Sequence, residues 1–206
     1  MNHFRSLIAA SLFGLAITAN AATIQTTFDA GLDGWTGTGG TVVFVASGGN
    51  PGGHLQQSDA DATDMTVFAP APFLGNLTAF LGGLLSFDAI QIVGTSDYAP
   101  FGSLTIRNGA NSVTVDVAPP GSPPAVWTNY SVALTAAAFG TTEANLLSVL
   151  GNVTSIELLL EFQAGISETA GLDNFQIASS DVPEPGTLLT VGALLIAIGA
   201  ARLRFA

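Results

Sequence analysis

A chain of 206 residues with four arginines, no lysine and fifteen carboxylates has room for one domain plus appendages and carries a net charge of −11. That charge repels phosphate backbones and anionic lipid, which argues against nucleic acid as a partner. It suits neutral glycans or divalent cations, or serves solubility alone. With no cysteine, disulfides, thiolate catalysis and cysteine-ligated zinc are excluded, so the fold must stand on its core or on a bound metal.

The first segment, Met1–Ala21, carries His3 and Arg5, an apolar run from Leu7 to Ile17, and then Ala19-Asn20-Ala21. A positive start, a short apolar middle and small residues one and three positions before the cut make a secretory signal. Cleavage is expected after Ala21, or one residue later, and the secretion machinery is the first partner implied.

From residue 22 to 181, alternation outweighs helical period. Thr41–Val45, Leu84–Asp88 and Asp173–Ile177 read as strands. So do the runs through Leu104 and Ile106, Val113 to Val117, Tyr130 to Leu134, and Ile156 to Phe162, the last with Glu157 and Glu161 on its opposite face. Asn108-Gly-Ala-Asn111 reads as a four-residue hairpin loop. One helix is expected near Thr142–Leu150, capped by Thr142, with Glu143 in its first turn and a stripe of Leu146, Leu147 and Leu150 before Gly151. Seven or more strands with one short helix predict an all-β antiparallel sandwich, a jelly roll, without internal repeats.

The order of signposts along this stretch carries more. Phe28-Asp-Ala-Gly-Leu-Asp-Gly-Trp35 opens it, and Gly49-Asn-Pro-Gly-Gly-His-Leu55 leads into Asp59. Phe68 to Asn76 precedes Gly83-Leu-Leu-Ser-Phe-Asp88, Trp127-Thr-Asn-Tyr130 begins a late strand, and Gly171-Leu-Asp-Asn174 closes the series. Together these resemble a laminin B (laminin IV type A) domain, related to galactose-binding-like jelly rolls, from about Phe28 to Ile177. The resemblance implies the sandwich fold more than any one activity, since that fold hosts binding and purely structural members.

The last 25 residues, 182–206, run Val182-Pro183-Glu184-Pro185-Gly186, then an apolar stretch Thr187–Ala201, then Arg202-Leu203-Arg204. Fifteen helical residues span about 22 Å, short of a bilayer core of roughly 30 Å, so the segment is a marginal membrane anchor. Arg202 and Arg204 should stay cytoplasmic, which leaves the two prolines extended at the outer face of the membrane. Motif, apolar helix and basic end in this order resemble the PEP-CTERM sorting signal of Gram-negative bacteria that make exopolysaccharide. That resemblance implies recognition by an exosortase through Pro183, Glu184 and Pro185, removal of the helix, and release to the cell surface or the extracellular matrix after transient anchoring in the inner membrane.

Catalytic chemistry has little to draw on. Once the leader is removed His54 is the one histidine, and it reads as packed. A nucleophile–base pair could then be built only from carboxylates, and no pair stands out. Asp59-Ala-Asp61-Ala-Thr63-Asp64 has the opening spacing of a calcium loop but no glycine at its sixth position and Pro70 at its twelfth, so it reads as a solvated loop. The better calcium candidate pairs Asp29 with Asp173, which meet if the first and last strands are neighbours. Trp35 and Trp127 read as core, whereas Tyr98-Ala-Pro-Phe101 lies in a loop where a ring could stack on a sugar. The leading expectation is a non-catalytic adhesive or matrix protein that binds glycan, an exopolysaccharide among them, with no site residue named for that ligand. A secreted carbohydrate-active enzyme is the alternative, and a structural module without small ligand the third reading.

Overall fold

Eleven strands and one α-helix are formed by the described residues of a computed structural model, which are 21–59, 63–97, 100–165 and 168–180. Ala19, Pro183, Glu184, Pro185, Arg202 and Arg204 lie outside them, as do Asp61 and Tyr98. The strands are β1 (Thr23–Thr26), β2 (Thr36–Thr38), β3 (Gly40–Val45), β4 (His54–Asp59), β5 (Thr66–Phe68), β6 (Leu84–Val93), β7 (Ser103–Asn108), β8 (Asn111–Asp116), β9 (Thr128–Ala133), β10 (Ser155–Leu159) and β11 (Thr169–Ala178), with α1 (Glu143–Leu150) between β9 and β10.

Every pairing is antiparallel, and two sheets result. One runs β3-β4-β11-β6-β9, with β1 continuing the edge of β11 where β4 leaves it; the other runs β2-β5-β10-β7-β8. The expected antiparallel sandwich with one short helix is therefore present. Inward positions follow the two-residue period: Leu85 and Phe87 on β6 and Leu172 and Ile177 on β11 face Leu104, Ile106 and Leu158 of the other sheet, all fully buried. Aromatic rings close the interior, with Trp35 edge-on to Phe175 at 4.8 Å and to Phe73 at 5.9 Å. Among the described residues no helix is long and apolar enough to cross a membrane.

Four expectations change in detail. The β7–β8 strands pair through to Asn108 and Asn111, so the hairpin turn is only Gly109-Ala110, with Gly109 at a φ of 58°. Thr142 Oγ1 accepts from the Asn145 N–H as a cap should, but the buried stripe of α1 is Leu146, Val149 and Leu150, and Leu147 faces solvent. Spacings of three and four residues explain why Val149 replaces Leu147. The strand through Ile156 stops at Leu159, so Glu161 leaves the alternation and is buried, whereas Glu157 stays at the surface paired with Arg107 at 2.6 Å. Phe101 is buried, which removes it from any exposed stacking surface.

Candidate functional site

A one-residue bulge in β11 builds the site. Asp173 pairs with Asp88 and Gln176 with Ser86, so β11 takes three steps where β6 takes two. Ala170, Leu172, Phe175 and Ile177 keep pointing inward, and the extra residue leaves Asp173 and Asn174 consecutively on the outer face of the sheet. Asn174 has a φ of 49°, a left-handed conformation that asparagine tolerates better than most side chains.

Asp88 gathers the polar groups around it. Its Oδ1 accepts from Asn129 Nδ2 at 2.8 Å, and its Oδ2 accepts from Asn174 Nδ2 at 2.7 Å and from Asn50 Nδ2 at 3.1 Å. One step along the sheet, Gln25 of β1 pairs with Gln176 of β11, whose Nε2 donates to Ser86 Oγ at 3.0 Å. Gln25, Thr27, Asp88, Asn129, Asn174 and Gln176 line an open cleft of about 270 Å³. Carboxamides offer a donor and an acceptor side by side, the pattern that matches neighbouring hydroxyls of a neutral ligand. None of these six was singled out as a binding residue by the sequence, because each is an ordinary polar residue until the bulge and the register align them.

Beside the cleft stands the corner expected to hold calcium. Asp173 is fully buried, and its two oxygens accept from the backbone N–H of Asn50 at 2.6 Å and of Asn174 at 2.7 Å. Burial raises its pKa, the two N–H groups oppose the rise, and the charges of Asp88 and Asp29 add to it. Asp29 is exposed and accepts from Thr27 Oγ1 at 2.8 Å. The glycine loop from 48 to 53 lies against both: a Cβ on Gly52 would fall 2.1 Å from Asp29 Oδ1, and one on Gly49 would fall 2.7 Å from Asp173 Oδ2. The structure thus brings Asp29 and Asp173 to one corner, with Asp88 as a third carboxylate nearby. No three acidic or histidine side chains among the described residues form a ready ligand set. An ion here would rest on Asp29, Asp173 and backbone carbonyls, all hard oxygen donors of the calcium type.

The remaining sequence candidates fall as follows. His54 is buried edge-on to Trp127, with ring centroids 5.5 Å apart, and burial lowers its pKa against the opposing pull of the Ser47 backbone carbonyl. Trp35 is core, while Trp127 is half-buried and donates through Nε1 to Gly48 O at 2.8 Å, holding the glycine loop down.

No protein-family model matches the chain, and no curated protein matches its sequence. Solved structures match its fold. The family 11 carbohydrate-binding module of a cellulosomal cellulase of Clostridium thermocellum is similar with a TM-score of 0.54 at 15% identity, over 79% of this chain and 97% of that one. A xylan-binding domain of carbohydrate-binding module family 22 is similar with a TM-score of 0.51 at 13% identity, over 77% and 94%. The L4b domain of human laminin alpha-2 gives a TM-score of 0.47 at 10% identity, over 57% and 71%. The two carbohydrate-binding modules speak for the β-sandwich jelly-roll fold, at identities that leave activity to be argued from the site.

Proposed function

We propose that this is an exported, non-catalytic carbohydrate-binding or adhesive protein, processed by an exosortase and working at the cell surface or in an exopolysaccharide matrix. The cleft carries the reading: six polar side chains from β1, β6, β9, β11 and the start of the β1–β2 connection present amides and one carboxylate to a neutral, hydroxyl-rich ligand. The fold shared with domains named as carbohydrate-binding modules supports it. Export and processing rest on the leader before Ala22 and on Pro183-Glu184-Pro185 with its apolar and basic follow-on.

The secreted-enzyme alternative needs two carboxylates flanking a sugar at about 5–9.5 Å from each other. Asp88 is the one carboxylate lining the cleft, and three amides hold its oxygens. This favours binding over hydrolysis. Affinity electrophoresis and calorimetry of the protein against soluble neutral polysaccharides, with a reducing-sugar assay alongside, decide the matter. Retardation by at least one glycan without sugar release is expected; release of reducing ends would establish the enzyme, and no binding to any glycan would remove the reading. The Asp29–Asp173 corner is proposed to take a structural calcium ion that fixes the glycine loop beside the cleft.

A further inference from the structure

At the far end of β11 from that corner, four carboxylates converge from both sheets. Asp59 ends β4, and its N–H donates to the Glu168 carbonyl at 3.0 Å just before β11 begins. Asp64 precedes Met65, whose N–H donates to Glu161 Oε2 at 2.9 Å, while the Leu160 N–H donates to the Met65 carbonyl at 2.8 Å. Glu168 Oε1 accepts from the Phe162 N–H at 3.0 Å, which carries its side chain over to the strand end that bears Glu161. Glu161 is 5% exposed and Glu168 1%, whereas Asp59 is half-buried and Asp64 exposed, so two buried carboxylates sit beneath two at the mouth.

The buried pair lacks a counter-charge. Arg107 is the single lysine or arginine among the described residues, and it is bonded to Glu157. Glu168 Oε2 is buried and accepts no hydrogen bond. Among the described residues no lysine or arginine is left to offset this pair, and a cation held by its oxygens would do so.

We propose that Glu161 and Glu168, with Asp59 and Asp64 at the mouth, form a divalent-cation site of calcium's oxygen-ligand type. The donors are all hard oxygens, and the exposed mouth gives the ion a way in. The four do not stand as a ready ligand set, so binding includes drawing the two mouth carboxylates over the buried pair. The site is separate from the Asp29–Asp173 corner: Glu168 and Asp173 are five residues apart along the chain, on the order of 16 Å at strand rise.

Chelator-stripped protein titrated with Ca²⁺ alone in a calorimeter, with melting curves at each concentration, tests this. Wild type should bind calcium in the range of extracellular modules, about 10⁻⁴–10⁻³ M or tighter. Glu168→Gln should lose one binding event and part of the calcium-dependent rise in melting temperature, while Asp173→Asn keeps that event. Glu161→Gln gives the same reading should Glu168→Gln fail to fold, with circular dichroism as the check on both. Wild-type calcium titration by the glutamine variants, or no calcium binding by wild type, overturns the site; either result leaves the glycan reading untouched.

Discussion

Asn174 reaches across the bulge in β11 to place its Nδ2 2.7 Å from Asp88 Oδ2 on β6. With Asn129 and Asn50 also donating to Asp88, one carboxylate ties β6, β9, β11 and the glycine loop together. Asp88→Ala would leave three amides without that acceptor in a site where Asp88 itself is only 6% exposed. Hydrogen bonds to a charged group contribute about 1.5–3 kcal/mol each and are not additive, so a loss of about 3 kcal/mol is expected. Urea unfolding measures it, and a loss under about 1 kcal/mol would show that the carboxylate does not organise the site.

Gln25 separates binding from stability. It is exposed on β1 beside Gln176, and surface truncations usually stay within about 0.5 kcal/mol of wild type. Gln25→Ala should therefore unfold at the wild-type urea midpoint yet bind a neutral glycan about tenfold more weakly, the equivalent of one lost hydrogen bond. Unchanged affinity would move the ligand off this face.

The strands that announced themselves in the sequence are those with several apolar residues in alternation, such as β7, β8 and β10. Thr23–Thr26, Thr36–Thr38, His54–Asp59 and Thr66–Phe68 were not legible as strands: three have only three or four residues, and β4 reads His-Leu-Gln-Gln-Ser-Asp although Gln57 is fully buried. Its Nε2 donates to Thr38 O at 2.7 Å, a partner that only the fold supplies, while its Oε1 is buried without a hydrogen bond. Asp29 and Asp173 could be paired in advance because the first and last strands lie together, and β1 does pair with β11. The cleft could not, because it depends on a bulge, and nothing in Asp173-Asn174-Phe175 alone announces one.

Processing is checked by intact mass. Pro183 and Pro185 keep the chain from continuing as helix into the motif, just ahead of an apolar run too short to span comfortably. The protein recovered outside the cell is expected to begin at Ala22 or Thr23 and to end near residue 185. A mass that still includes 187–206 would refute exosortase processing.

Calcium in the Asp29–Asp173 corner has its own signature. An ion that binds only the folded chain stabilises it by about 2.7 kcal/mol at 100 times its dissociation constant. For a domain of this size that raises the melting temperature by roughly 5–10 °C. Asp173→Ala lowers the melting temperature in any medium, because it frees the Asn50 and Asn174 N–H groups. The informative quantity is the gap between calcium and chelator, which should narrow in Asp173→Ala; an unaltered gap would place no ion in this corner.

Two buried groups should shape the pH dependence in chelator, and they pull in opposite directions. Glu168 rises from 4.5 to about 8 in the fold, so the folded chain favours its protonated form. Its contribution is complete below about pH 4.5 and is lost as pH climbs through 8. His54 is lowered from 6.5 by burial, so the fold favours the neutral ring. Its contribution is complete above about pH 6.5 and is lost as pH falls below that value. Between about pH 6.5 and 8 the histidine contribution is constant, and the decline in stability there belongs to Glu168 together with Glu161, whose carboxyl burial also raises, with a smaller trend of the same sign from Asp173 at lower pH. Melting temperatures from pH 4 to 9 should therefore peak on the acid side of neutrality in wild type. Glu168→Gln removes one titrating proton of the pair while keeping an oxygen for the Phe162 N–H, so its curve should fall less steeply from about pH 6.5 to 8 than that of wild type. Parallel curves across that window would mean that Glu168 ionises alike in the folded and unfolded chain.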